Sequence, residues 1–152
     1  MKVERSLFFE DFEVGQVYET GSQTLGADEI IEFGMNYAPL PYHTDIEAAK
    51  DSSFGTLVAA GYQTAAVTFG LFARTGALSL SGMGSPGVDN LRWKRPVKVG
   101  DTLHVRANIV EKSPSKEVGG RDAVRIRYDT FNQNDQIVMT LTSLHFIRRT
   151  PA

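Results

Sequence analysis

Gly61-Tyr62-Gln63-Thr64-Ala65-Ala66-Val67-Thr68-Phe69-Gly70-Leu71-Phe72-Ala73-Arg74 carries no charged side chain on any face until its last residue. It closes a longer uncharged run, Ser52 to Ala73, whose length alone would suffice to cross a bilayer. Ser52, Ser53, Thr56, Gln63, Thr64, Thr68 and three glycines lie within that run, however, and no positive cluster flanks it. The pattern therefore predicts a helix from about Gly61 to Arg74 that is buried in protein on most sides. Some other part of the chain must wrap it.

The second half of the chain supplies the wrapping, because its apolar residues alternate with polar ones at the period of a β-strand. After Gly100-Asp101, Leu103, Val105, Ala107 and Ile109 alternate with Thr102, His104, Arg106 and Asn108. Val124, Ile126 and Tyr128 repeat the theme against Arg125 and Arg127. A hairpin through Asn132-Gln133-Asn134-Asp135 leads to a last strand beginning Ile137, Met139, Leu141. The apolar phase then moves to Leu144 and Phe146, which predicts a bulge near Ser143.

Upstream, a first strand is expected around Val17 to Thr24. Ile30, Phe33, Gly34 and Tyr37 then mark one face of a short amphipathic helix that Pro39 stops. Thr44-Asp45-Ile46-Glu47 has the form of a capping box, predicting a helix over about Asp45 to Asp51 with Thr44 as its N-cap. One nearly all-apolar helix followed by several antiparallel strands implies an α+β fold in which a sheet curls around a central helix, the hot-dog architecture. A helix lying on one face of an open sheet is the alternative.

At 152 residues, with no repeat or linker-like run, the chain reads as one domain, residues 1–152. Its formal net charge of −2 gives no long-range attraction to nucleic acid or anionic membrane. The absence of cysteine excludes disulfides, thiolate metal sites and a cysteine nucleophile. Met1-Lys2-Val3-Glu4-Arg5 leads into Phe8-Phe9-Glu10-Asp11-Phe12 without an uninterrupted apolar stretch, so a cytoplasmic protein is expected. No histidine pair has metal-ligand spacing, and neither a glycine-rich phosphate loop nor a Gly-x-Ser-x-Gly elbow is present.

The densest group of unusual residues is Asn36-Tyr37-Ala38-Pro39-Leu40-Pro41-Tyr42-His43-Thr44-Asp45, which two prolines stiffen. Placed just before the expected helix N-terminus, His43 would feel the positive end of the macrodipole and stay neutral, available as a base. A loop histidine bonded to nearby backbone is the other reading. Asp45 reads as serving first-turn N–H groups rather than a substrate. His104 reads as a surface residue, and His145 is left open.

Ala38-Pro39-Leu40-Pro41-Tyr42-His43 resembles the motif of the MaoC-like acyl-CoA dehydratases, which include the R-specific enoyl-CoA hydratases. In that motif Asp, any residue, Asn or Gln, Pro, an apolar residue and His follow one another. Pro41, Tyr42 and His43 match, whereas Ala38 stands in place of the aspartate and Leu40 in place of the amide. The resemblance extends through Phe9 to Gln16, Phe54-Gly55, Ala60-Gly61, Gly87 to Trp93, Arg95-Pro96-Val97 and Val99-Gly100-Asp101. It implies that His43 acts on a water and that the Gly61 N–H receives the oxygen of a thioester substrate. Close packing of helix on sheet is an equal reason for a glycine at 61.

The implied partner is an acyl-CoA or acyl-carrier thioester, with coenzyme A as part of the substrate and no further cofactor or metal. Ala38, Leu40, Tyr42 and Tyr62 would line the pocket, and Arg92, with Lys94 and Arg95, would meet coenzyme A phosphates at its rim. Three functions stay open: a hydratase or dehydratase impaired by Ala38, a non-catalytic acyl-CoA-binding subunit, and a thioesterase. A homodimer or higher even oligomer is expected, because a curled sheet leaves an edge to cover.

Overall fold

A computed structural model describes all residues, Met1–Ala152. A 3-10 turn at Phe9–Asp11 precedes β1 (Val17–Thr24). Four helices follow: α1 (Ala27–Tyr37), α2 (Pro41–Thr44), α3 (Ile46–Lys50) and α4 (Gly61–Ala73). The chain ends in β2 (Gly87–Trp93), β3 (Thr102–Ser113), β4 (Ala123–Phe131) and β5 (Ile137–Phe146). All strand pairs are antiparallel, in the order β1-β3-β4-β5-β2.

The core forms where the inward residues of the strands meet α4. Leu103, Val105, Ala107 and Ile109 are buried on β3, and Val124, Ile126 and Tyr128 on β4, as their alternation requires. From α4, Gln63, Thr64, Val67, Thr68, Leu71 and Phe72 are buried, and Phe72 meets the Tyr128 ring edge-on at 5.3 Å. No helix of the chain is long and apolar enough to cross a membrane.

The helix is wrapped less completely than its composition implies. Tyr62, Ala66, Phe69 and Ala73, spaced along one stripe, are exposed. The flanking strand β2 forms one edge of the sheet, and its Val88 and Trp93 are exposed as well. Five strands cover one side of α4 and leave an apolar face on the other.

Other local expectations shift in the structure. The last strand has no bulge at Ser143: Met139, Leu141, Ser143 and His145 all face inward without a break. The irregularity lies at the start of the strand, opposite Thr130 and Phe131, and lets Val138 and Met139 both be buried. Apolar character misleads here because Ser143 and His145 line a cavity. On α1, Ile30 and Gly34 are buried, but Tyr37 is 73% exposed and packs on Phe33, centroids 4.9 Å apart.

The cap after α2 also moves. Asp45, rather than Thr44, is the N-cap of α3, its Oδ1 accepting from the N–H of Glu47 at 2.9 Å and of Ala48 at 3.0 Å. Glu47 reaches Lys50 instead of turning back. Thr44 ends the single turn of α2, where its hydroxyl donates to the Leu40 carbonyl. His43 therefore lies inside that turn, two residues ahead of the N-cap of α3.

Candidate functional site

His43 is held from three sides. Pro41 starts its turn at the first helical position, where a missing N–H costs nothing, and α1 closes over it through Gly34. A Cβ at Gly34 would fall 2.8 Å from the His43 carbonyl oxygen and 3.0 Å from its Cβ, so only glycine allows the two helices this close. From below, Val58 N–H donates to the Tyr42 carbonyl at 3.1 Å, and the His43 Nδ1 lies 2.7 Å from the Val58 carbonyl oxygen. A carbonyl oxygen only accepts, so Nδ1 carries a proton, and in the neutral ring Nε2 is the nitrogen with the lone pair. Nε2 has no partner in the protein, and the residue is buried, 8% exposed.

The imidazole faces a cavity of about 480 Å³, whose walls include Ala38, Leu40, Tyr42, His43, Gly61 and Tyr62. α4 begins at this cavity. Its N-cap is Ala60, which has no side chain able to cap, and the N–H groups of Gly61 and Tyr62 make no hydrogen bond. Two unpaired backbone donors and an imidazole lone pair thus share one space. Six of the seven residues expected to form a site come together here, although they span positions 38 to 62.

Arg92 is the exception. Its guanidinium donates to the Leu91 carbonyl, and its cross-strand partner Thr140 lies on the face of the sheet away from α4. An extra residue in β2 between Asp89 and Arg92, with Asn90 at φ 55°, sets this phase. Trp93 then pairs with the buried Met139 and faces the cavity, together with Lys94 and Arg95. Of the basic run, Lys94 and Arg95 reach the cavity and Arg92 does not.

Sequence reasoning does not single out Trp93. Its indole N–H donates to the Gly61 carbonyl at 2.9 Å, and its ring lies edge-on to Tyr62 with centroids 5.5 Å apart. A Cβ at Gly61 would come within 2.7 Å of the indole nitrogen. The missing side chain at 61 thus makes room for Trp93, the packing reason for a glycine. The one signal the sequence holds for it is a lone tryptophan beside a basic run.

No carboxylate lines the cavity. Ala38, where the aspartate would stand, ends α1 with its N–H donating to the Gly34 carbonyl, and Leu40 is half-exposed at the rim. Asp45 is committed to capping α3 and is absent from the cavity wall. His104 lies on the polar side of β3, its Nε2 3.4 Å from an Asp135 carboxylate oxygen. His145, in contrast, is buried beside α4 and makes a 2.8 Å hydrogen bond with the Tyr128 hydroxyl. Burial pushes its pKa down to about 4, so the ring is neutral, and pushes that of the Tyr128 phenol up.

The comparisons with known proteins agree with this architecture. A family model described as the MaoC like domain matches residues 11–128. The 3-hydroxybutyryl-CoA dehydratase of Methylorubrum extorquens is 29% identical over 114 residues, 74% of this chain and 69% of that one. The crystal structure of the MaoC-like dehydratase from Rhodospirillum rubrum is similar with a TM-score of 0.88 at 36% identity, covering 97% of this chain and 100% of that one. The R-hydratase PhaJ1 from Pseudomonas aeruginosa shares the fold, with a TM-score of 0.78 at 24% identity over 95% and 88% of the two chains. With the family model spanning most of the sequence and the same helix-and-sheet frame recurring in these structures, the chain belongs to the MaoC-like dehydratase family and has its hot-dog fold.

Proposed function

We propose that the cavity at His43 binds an acyl thioester and hydrates or dehydrates it, with His43 as the base and the first-turn N–H groups of α4 as the oxyanion donors. The observation that carries this reading is the free Nε2 of His43 in the same cavity as the unpaired N–H of Gly61. In hydration of a 2-enoyl thioester, Nε2 takes a proton from water as the water oxygen bonds to C3. The double-bond electrons move onto the thioester oxygen, where the N–H groups of Gly61 and Tyr62 meet the charge. The imidazolium then returns its proton to C2. One water is added and His43 ends as it began.

Donors placed at such an oxygen contribute about 3 to 4 kcal/mol. A second acid or base would add about 10²- to 10⁴-fold, and here its place is Ala38. The reaction is therefore slow, or confined to a substrate that supplies a polar group of its own. Lys94 and Arg95 at the rim suit the phosphates of a coenzyme A or acyl-carrier arm. A second copy of the chain, pairing at the edge of β2, would cover the apolar stripe of α4.

The apolar Ala38 and Leu40 favour a second reading, a thioester-binding subunit without turnover. Hydration of crotonyl-CoA and longer 2-enoyl-CoAs, followed at the loss of enoyl absorbance beside a binding titration, separates the two. Turnover that His43→Ala abolishes supports the lyase. Ala38→Asp with Leu40→Asn should raise it at least about tenfold, and adding His43→Ala should erase the gain. A double mutant that folds and binds enoyl-CoA with no gain refutes a latent hydratase and leaves the binding subunit.

A further inference from the structure

The first turn of α4 reaches the His43 cavity with no capping side chain to hold it. Ala60 offers none at the N-cap, and Gly61 restrains its own backbone less than any other residue would. The two free donors of this turn belong to different peptide units. The N–H of Gly61 shares a unit with the Ala60 carbonyl, which accepts from Gln63 N–H at 3.0 Å and Thr64 N–H at 3.1 Å and is fixed by the helix itself. The N–H of Tyr62 shares a unit with the Gly61 carbonyl. That carbonyl is the one the Trp93 indole N–H meets at 2.9 Å.

A peptide unit is planar, so its C=O and N–H point in opposite directions as one rigid group. A donor on the Gly61 oxygen therefore fixes the direction of the Tyr62 N–H, and it draws electron density from that N–H and strengthens it as a donor. Trp93 is itself held by the sheet. It pairs with the buried Met139 of β5, and the two residues after it, Lys94 and Arg95, donate their N–H groups to the Val138 carbonyl at 2.8 and 3.3 Å. The indole lies so close to the glycine that a Cβ there would come within 2.4 Å of its Cε2, and it stands edge-on to the Tyr62 ring. One side chain thus ties the donor turn of α4 to the sheet.

We propose, on the thioester reading of the His43 cavity, that Trp93 is a positioning residue: through the Gly61 carbonyl it aims and polarises the Tyr62 N–H, the second oxyanion donor. In this role the indole touches no reacting atom. Its contribution grows as negative charge develops on the thioester oxygen, so it acts on turnover more than on ground-state binding. Packing on Tyr62 would be indifferent to the indole N–H, and this separates the two roles.

The test removes the N–H and keeps the shape. 3-Benzothienylalanine, installed at position 93 by codon suppression, carries sulfur where the indole has its N–H. On ¹⁵N-tyrosine-labelled full chain the exchange is expected to move the Tyr62 amide resonance to lower frequency and leave the other tyrosine amides in place. Acetoacetyl-CoA, whose enolate carries charge on the thioester oxygen, reads the donor without turnover. The pH at which its bound enolate forms should rise by about half to one unit, the size of one neutral hydrogen bond. For crotonyl-CoA hydration kcat should fall about threefold to tenfold, with KM changed less than about twofold. Trp93→Phe should show the same losses; a packing role would show them in Trp93→Phe and recover them with benzothienylalanine. An unmoved Tyr62 amide, or a benzothienyl protein with wild-type enolate formation and kcat, overturns the proposal. A wild type that binds acetoacetyl-CoA but hydrates nothing leaves the enolate comparison to decide it. Failure of the thioester reading is distinct: wild type then binds no acetoacetyl-CoA, and the role of Trp93 falls with that reading even where the Tyr62 amide moves.

Discussion

Stability should fall between about pH 6.5 and 4 in a way that one residue controls. His145 is held neutral in the fold, its pKa pushed by burial from 6.5 down to about 4. Above pH 6.5 neither the folded nor the unfolded chain protonates it, and it contributes nothing to the pH dependence. Below that, the unfolded chain binds a proton that the folded chain refuses, so stability declines as pH falls. At about 1.4 kcal/mol per pKa unit the loss reaches about 3 kcal/mol by pH 4. Urea unfolding of wild type and His145→Phe at half-unit steps from pH 7.5 to 4.5 isolates the effect. The mutant leaves the Tyr128 hydroxyl without its partner, which lowers its curve by a constant amount, while titration of shared carboxylates cancels in the difference. Wild type should lose about 1 to 1.4 kcal/mol more than the mutant for each unit of acidification below pH 6. Parallel curves, or a His145 ring-proton resonance inflecting near pH 6.5, would show that burial does not hold this imidazole neutral.

Gly34→Ala should push α1 away from the His43 carbonyl and cost about 1 to 3 kcal/mol in urea unfolding; a variant as stable as wild type would show that the close approach is not needed. Asp45→Ala should lose about 1 kcal/mol with the cap of α3, whereas Asp45→Asn should keep most stability and any wild-type turnover. Loss of activity in the asparagine variant would make Asp45 an acid or base after all. Phe72→Ala, at a fully buried position against Tyr128, should cost about 3 to 5 kcal/mol, read as a drop in the urea midpoint.

Much of the frame is legible in the amino-acid sequence. The uncharged run from Gly61 implies a buried helix because a charge left in a core is costly, and α4 occupies Gly61–Ala73. The period-two patterns of β3 and β4 appear as buried rows because side chains of a strand alternate faces. The Pro41-Tyr42-His43 motif points to the histidine that faces a cavity. What only the tertiary structure decides turns on partners remote in sequence. The tautomer of His43 follows from Val58, fifteen residues away, and its placement from Gly34. Trp93 reaches Gly61 from the edge strand β2, and an extra residue in that strand sends Arg92 to the other face. His145 and Ser143 read as a break in an apolar pattern and prove to be the inward wall of a cavity. Hydrophobic periodicity reports which side chains leave water, and it carries no information on whether what they meet is packed core or space for a ligand.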